Sequence, residues 1–152
     1  MYGKNAHSAY KSVQVTTTDR GRLLLMMYEG AIKFLKQAKM GLEDNDLPKF
    51  CRFLSKGQAI IAELMNTLDF DKGGSIARDL DRLYDFMLFY LTEANLYRDA
   101  KRVQKVIGLL DIIYGAYKDI IESGKAPSAE KPQTAADAKD GQGEVKRIQI
   151  SL

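Results

Sequence analysis

Residues 23–38 read LLLMMYEGAIKFLKQA, and the spacing of apolar residues in this stretch decides the fold. Apolar residues recur every three or four positions, which places them on one face of a helix. That inward face comprises Leu24, Met27, Tyr28, Ala31, Phe34, Leu35, Ala38 and, further along, Leu42. A helix that packs against one core needs only such a stripe. The stretch therefore carries a surplus of apolar residues, which consists of Leu23, Leu25, Met26 and Ile32.

Capping residues, proline and glycine predict where the helices begin. Asp19, Asp46 and Asp99 are each placed to cap a helix. Pro48 suits the first turn after Asp46, since a helix can begin with a residue that lacks an N–H group. The pair Gly73-Gly74 breaks the chain before another helix. We expect helices near residues 20–43, 47–68, 76–97 and 100–122.

The three later segments repeat the same spacing of apolar residues. The stripe of the second begins at Leu47, and that of the third at Ile76. No stretch before residue 144 shows the sustained alternation of a strand. Helices of about 22 residues joined by short connections favour antiparallel neighbours. The sequence therefore predicts an all-α fold, an antiparallel up-and-down four-helix bundle with a short N-terminal cap segment and a flexible C-terminal tail.

The third and fourth segments also carry more apolar residues than one stripe can use. The surplus consists of Phe86, Leu88, Phe89, Tyr90, Ile107, Leu109, Ile112 and Tyr114. Clustered apolar residues that are left over commonly mark a contact surface. A wide core and a homodimer contact are the alternative interpretations.

Composition and charge limit the class of protein. The chain has 152 residues, of which 45% are apolar and 28% are charged, which suits one domain with a real core. Its formal charge of +3 is spread among alternating acids and bases, so nucleic-acid binding is not expected. The N-terminus has no apolar signal stretch, and no apolar run approaches a membrane span. We expect a cytosolic protein without membrane insertion.

Catalytic and metal-binding patterns are weak in this sequence. The commonest catalytic helix bundle holds two metal ions with Glu residues and two Glu-x-x-His pairs, and this chain has one histidine, His7. Cys51 lies on an apolar stripe, where a structural thiol is expected. Gly73-Gly74 lacks the Lys-Ser/Thr pair of a phosphate-binding loop. We therefore predict no enzyme activity, no catalytic or metal-binding residues and no cofactor.

Several distinctive segments occur together in a fixed order. They are Ala9-Tyr10, LLLMMYEGAIKFLKQA, LMNTLDFDKGGSIARDLDRLYDFM and LTEANLYRDA. In these segments, over about residues 9–121, the sequence resembles the flagellin-specific flagellar export chaperone family, FliS. The resemblance implies a four-helix bundle with an N-terminal segment folded against it. It also implies a chaperone that binds the C-terminal region of flagellin, prevents premature polymerisation and assists delivery to the flagellar type III secretion apparatus.

The resemblance assigns residues to a flagellin-binding groove. The matching positions are Tyr10, Leu24, Met27, Tyr28, Leu83 and Tyr84, together with Tyr117 where the family usually has tryptophan. Those on the inward stripes could equally serve core packing. The resemblance divides the chain into an N-terminal cap segment over 1–18, a flagellin-binding bundle over 19–124 and a tail over 125–152.

The C-terminal tail differs in composition from the bundle. Residues 125–144 contain two prolines and no large hydrophobic residue, which is typical of a flexible linker. The final stretch, Val145–Leu152, is apolar again. We hypothesise that it occupies the groove until flagellin arrives; the alternative is a disordered end or a crystal or dimer contact. The rival function is a self-associating helical scaffold, and a homodimer in the absence of client fits both interpretations.

Overall fold

The computed structural model describes residues 16–123, with side-chain surroundings from residue 19 onward. It contains four helices, which we number α1 (Thr16–Glu43), α2 (Leu47–Asn66), α3 (Phe70–Tyr97) and α4 (Ala100–Ser123). The predicted all-α four-helix bundle is confirmed. The predictions for Tyr10 and for the C-terminal tail concern positions outside the described residues. Within the described residues, none of the helices has the length and hydrophobicity needed to span a membrane.

Aspartates begin three of the helices. The Asp46 carboxylate accepts a hydrogen bond from the Lys49 N–H at 3.1 Å, and the Asp99 carboxylate accepts one from the Lys101 N–H at 2.9 Å. Both predicted caps are therefore confirmed. Asp69, which was not predicted, caps α3 in the same manner. Asp19 is not a cap, because α1 begins at Thr16 and includes Asp19 in its first turn, where its negative charge faces the positive end of the helix dipole.

A short helical segment precedes the predicted start of the third helix. Helix α3 as a whole starts at Phe70, but it is interrupted at Gly74, whose φ of 53° and ψ of −127° are not helical, and its long part follows close to the predicted residue 76. This positive φ costs glycine little, because glycine has no Cβ atom. The predicted break at Gly73-Gly74 is therefore confirmed, and it separates the short segment that begins at Phe70 from the long part of α3.

The helices pack in a ring in which α1 contacts α2 and α4, and α3 contacts the same two helices from the opposite side. The contact between α1 and α2 is the most extensive, whereas α3 makes fewer contacts with either neighbour. Two glycines permit the close approach of α1 and α2. A Cβ at Gly57 would lie 2.6 Å from Leu35 Cδ2, and one at Gly41 would lie 2.6 Å from the backbone nitrogen of Phe50.

The core accounts for part of the apolar surplus. Ile32 and Ile107 are buried, so their classification as surplus is wrong. The remaining large exposed hydrophobic residues include Leu23, Met26, Phe86, Phe89 and Ile112. Conversely, Leu47 and Ile76 are exposed although they continue the predicted stripes, because each lies in the first two turns of its helix, at an end of the bundle.

Candidate functional site

An apolar groove lies at one end of the bundle. The beginnings of α1 and α3 meet the ends of α2 and α4 there, because the helices are antiparallel. The groove has a volume of about 660 Å³. Its lining consists of Arg20, Leu23, Leu24, Met27, Thr67, Leu68, Asp69, Lys72, Gly73, Ile76, Ala77, Leu80, Tyr84 and Tyr117.

The walls of the groove combine half-buried and exposed apolar side chains. Leu24, Met27 and Leu80 are half-buried and pack against the core. Leu23 and Ile76 lie on opposite helices, and each is 58% exposed. Covering such exposed apolar side chains with a partner lowers the free energy, because apolar surface is removed from water. The surplus residue Leu23 therefore lines the groove and is not part of the core.

Two tyrosines form the inner wall of the groove, and a third packs behind them. Tyr28 and Tyr84 are buried, and their hydroxyl groups share a hydrogen bond. The Tyr117 ring packs on Tyr28 with 5.8 Å between ring centroids. Tyr84 and Tyr117 line the groove, and Tyr28 lies behind them. The contacts join α1, α3 and α4, so the same side chains shape the groove and hold the bundle together.

Burial makes ionisation of these tyrosines less favourable still. It is the main cause that raises the pKa of Tyr28, of Tyr84 and of Tyr117 above the ordinary value of a phenol. Desolvation disfavours the charged phenolate, which explains the direction of all three shifts. The inner wall thus presents neutral aromatic surface at physiological pH.

The predicted site residues occupy different places around this groove. Leu24, Met27, Tyr84 and Tyr117 line it, and Tyr28 supports it from behind. Leu83 is half-buried against the core and is absent from the groove lining. Tyr10 lies outside the described residues. The structure therefore brings together five of the seven predicted positions.

Other lining residues were not singled out from the sequence. Leu68 follows the end of α2, and Ile76 follows the kink at Gly74. Ile76 lies beyond the point where neighbouring helices cover its stripe and is exposed, whereas Leu68 is half-buried against the core. The glycine pair was the available signal, since a kink there changes the direction of the first turn of α3.

The polar groups of the groove are few. Asp69 is the one acidic residue among the described residues of the lining, and its carboxylate already accepts the Lys72 N–H at 3.0 Å. Across residues 16–123, no group of three or more His, Cys, Asp or Glu side chains is arranged to hold a metal ion. The chemistry that the groove does offer is burial of apolar side chains from a partner.

Comparisons with known proteins agree on one family. A family model described as "Flagellar protein FliS" matches residues 3–124. A flagellar secretion chaperone FliS of Salmonella typhimurium is 38% identical over 125 residues, which cover 79% of this chain and 93% of the relative. The protein of that name from Campylobacter jejuni is 32% identical over 79% of this chain and 94% of its own. The Bacillus subtilis protein is 32% identical over 79% of this chain and 89% of its own.

Proposed function

This chain belongs to the FliS family of flagellar export chaperones, which are not enzymes, and from that membership we propose that its client is the C-terminal region of flagellin. Binding in the cytosol keeps flagellin from polymerising before export and assists its delivery to the flagellar type III secretion apparatus. The observation that carries this proposal is the apolar groove at the end of the bundle, lined by Leu24, Met27, Tyr84 and Tyr117.

The groove suits an amphipathic segment of a client. An apolar helix face that enters a groove is stabilised by about 25 cal/mol for each Å² of apolar surface buried. A client that is disordered when free loses chain entropy on binding, so a large contact is needed to offset that loss. Leu23 and Ile76, on opposite walls, extend the apolar surface beyond the inner wall of tyrosines.

Calorimetric titration with a peptide from the C-terminal region of flagellin tests the proposal. We expect a 1:1 complex, and we expect Leu23→Asp and Ile76→Asp each to weaken it about tenfold or more, a change of about 1.4 kcal/mol. Ile112→Asp is the matched control, because Ile112 is also an exposed apolar residue but lies on α4 outside the groove. Absence of binding to the unaltered protein, or equal loss in all three variants, would reject flagellin binding at this groove.

The segments that flank the bundle are assigned roles in the same proposal. Residues 1–18 cover the groove through Tyr10 when no client is bound, and residues 125–152 bring the apolar stretch Val145–Leu152 to the same groove as a competitor. Both segments join the bundle at the groove, because α1 begins and α4 ends there. The remaining residues, 19–124, form the flagellin-binding bundle.

Two variants test these roles separately. Tyr10→Ala should leave the helical circular dichroism unchanged and alter the affinity for the flagellin peptide; unchanged affinity would remove Tyr10 from the proposal. Deletion of residues 125–152 should tighten peptide binding by removing the competitor. Equal or weaker binding would show that the tail does not compete.

A further inference from the structure

Helices α1 and α2 contain two stretches without an acidic residue. Acids and bases alternate along the chain as a whole, but residues 30–42 and 47–62 contain six lysine or arginine residues and no aspartate or glutamate. The two stretches lie side by side in the bundle, since a Cβ at Gly57 would lie 2.6 Å from Leu35 Cδ2. The fold therefore concentrates positive charge on one pair of neighbouring helices.

Four of these cations lie on the outer side of α1 and α2, around a pair of aromatic rings. Phe34 of α1 and Phe53 of α2 have 5.9 Å between their ring centroids. The Arg52 guanidinium lies over the Phe53 ring at 4.9 Å, and the Lys56 Nζ lies 5.5 Å from the Phe34 centroid. We call the four cations the basic face, and they are Lys33, Lys49, Arg52 and Lys56.

The cations of the basic face form no ion pair within the part of the chain that the structure describes. Lys49, Arg52 and Lys56 follow one another at spacings of three and four residues, so they lie on one side of α2. Lys33 is exposed on α1, next to Phe34. Like charges on one surface repel one another, and contact with a ring does not neutralise them. An anionic partner would relieve this repulsion.

The surface between these cations is closed and has no deep furrow. A Cβ at Gly30 would lie 3.2 Å from Ile60 Cδ1, so α1 and α2 approach closely here as they do at Gly57. Phe34 and Phe53 are half-buried and fill the seam between the two helices. Recognition of a partner helix requires a groove that accepts its apolar side chains. The basic face therefore suits a flat anionic partner better than a helix.

Two exposed methionines accompany the basic face on α1. Met26 is 58% exposed and Met40 is 44% exposed. They lie seven residues before and after Lys33, which is close to two helical turns, so the three side chains share one side of the helix. Exposed apolar residues beside basic residues are typical of surfaces that bind at a bilayer interface. There, the cations meet anionic headgroups and the apolar side chains enter the boundary of the acyl chains.

We propose that the basic face binds the surface of a membrane that contains anionic phospholipid. The four cations contact lipid phosphate groups, and Met26 and Met40 enter the interface. None of these six residues lines the groove at the end of the bundle, so the groove stays open to a client. Each basic side chain near an anionic bilayer strengthens binding about fivefold. Four of them give an attachment that is reversible and sensitive to salt.

Membrane attachment would place a client-loaded chaperone where secretion takes place. This consequence rests on the proposed export function, whereas the lipid binding itself does not. The two proposals therefore fail separately. Calorimetry with the flagellin peptide reports on the groove, and vesicle binding reports on the basic face.

Co-sedimentation of the full chain with lipid vesicles tests the proposal. We expect binding to phosphatidylcholine vesicles that contain phosphatidylglycerol, no binding to phosphatidylcholine alone, and release as the salt concentration rises. Arg52→Glu combined with Lys56→Glu should weaken binding at least about twentyfold, because two favourable charges are lost. Lys101→Glu combined with Lys105→Glu is the matched control, since these two exposed cations are also four residues apart but lie on α4.

Three results of this experiment would overturn the proposal: no binding to the anionic vesicles, equal binding to the neutral vesicles, or equal loss in the two charge-reversed proteins. Binding of polyglutamate in place of vesicles would assign the basic face to an acidic protein segment and overturn it as well. Lys33→Glu combined with Lys49→Glu is a second variant, which leaves both cations that lie over the rings in place. It should weaken vesicle binding to a similar extent. Circular dichroism of each variant confirms that the bundle is intact.

Tryptophan fluorescence tests which side of the bundle faces the lipid. The chain contains no tryptophan, so Met40→Trp introduces a single reporter beside the basic face. Its emission should shift to shorter wavelength with anionic vesicles, because the indole ring leaves water. Ile112→Trp is the control, since Ile112 is 71% exposed but lies on α4, and its emission should stay unchanged. A shift in both proteins, or in neither, would overturn binding through the basic face.

Discussion

At the scale of single residues, the tyrosine pair behind the groove connects stability with the shape of the site. Tyr28 on α1 and Tyr84 on α3 are buried and share one hydrogen bond through their hydroxyl groups. Each hydroxyl group is the hydrogen-bond partner of the other. A buried polar group that loses its partner costs more free energy than the hydrogen bond itself contributes.

This asymmetry gives a prediction for a double-mutant cycle. Tyr28→Phe and Tyr84→Phe should each lower the free energy of unfolding by about 1–3 kcal/mol, because each leaves one buried hydroxyl unpaired. The double variant removes both hydroxyls and should lose less than the sum of the two. Urea denaturation measures all three values. Strict additivity would show that the hydroxyls do not depend on each other.

The same pair makes stability sensitive to alkaline pH. Burial and the neighbouring Tyr84 raise the pKa of Tyr28 in the folded state, and burial likewise raises the pKa of Tyr84. In the unfolded chain both ionise near pH 10, so above that pH the unfolded state binds fewer protons and is favoured. The stabilisation is thus complete below about pH 10 and declines as pH rises further. Urea denaturation at a series of alkaline pH values should show a shallower decline for Tyr28→Phe than for the unaltered protein; parallel curves would exclude this linkage.

At the scale of helices, glycines allow α1 and α2 to pack closely against each other. The helix α1 reaches the first turns of α2 at Gly41, where a Cβ would contact the backbone of Phe50. Backbone atoms cannot rotate away as a side chain can. Helix propensity and packing therefore oppose each other at this position, and packing should dominate.

Alanine substitution separates the two effects. Gly41→Ala should destabilise the fold by about 1–3 kcal/mol through overpacking, although alanine is the better helix former. Gly108→Ala on α4 is the matched control, since nothing lies within 4 Å of its added Cβ. It should stabilise the protein by up to about 1 kcal/mol. Thermal unfolding compares the two, and stabilisation by both substitutions would contradict the close-packing argument.

At the scale of the whole molecule, the four helices are held unequally. Helix α1 packs extensively on α2 and α4, whereas α3 makes fewer contacts with each neighbour. The side-chain hydrogen bond between α2 and α3, from Gln58 to Thr92, is long at 3.5 Å. Loosely held elements open at lower free energy than the core. Since α3 contributes residues to the groove, its local opening would bear on the proposed client binding.

Amide hydrogen exchange checks this ranking. We expect the amides of α3 to exchange faster than those of α1, because α3 can separate from its neighbours without global unfolding. Mass spectrometry of peptides from the two helices provides the comparison in one experiment. Equal protection in α1 and α3 would show that the bundle opens only as a unit.

Much of the fold could be read from local signals. The predicted caps at Asp46 and Asp99 are correct, because a capping carboxylate acts on N–H groups within its own first turn. The cap at Asp19 was predicted wrongly, because the helix already begins at Thr16. The break at Gly73-Gly74 was predicted correctly, because glycine adopts the positive φ of Gly74 at little cost. The residue at which a helix ends depends on small differences in free energy, and tertiary packing can reverse them.

The residues themselves determined the helical period, the bundle and the presence of more apolar side chains than a core requires. Only the tertiary structure decided where each surplus residue lies. It placed Ile32 and Ile107 in the core, Leu23 at the groove and Phe89 on an open face. Periodicity reports the angle of a side chain around its own helix, whereas burial depends on how far neighbouring helices extend and how closely they approach. That information arises only when all four helices are packed.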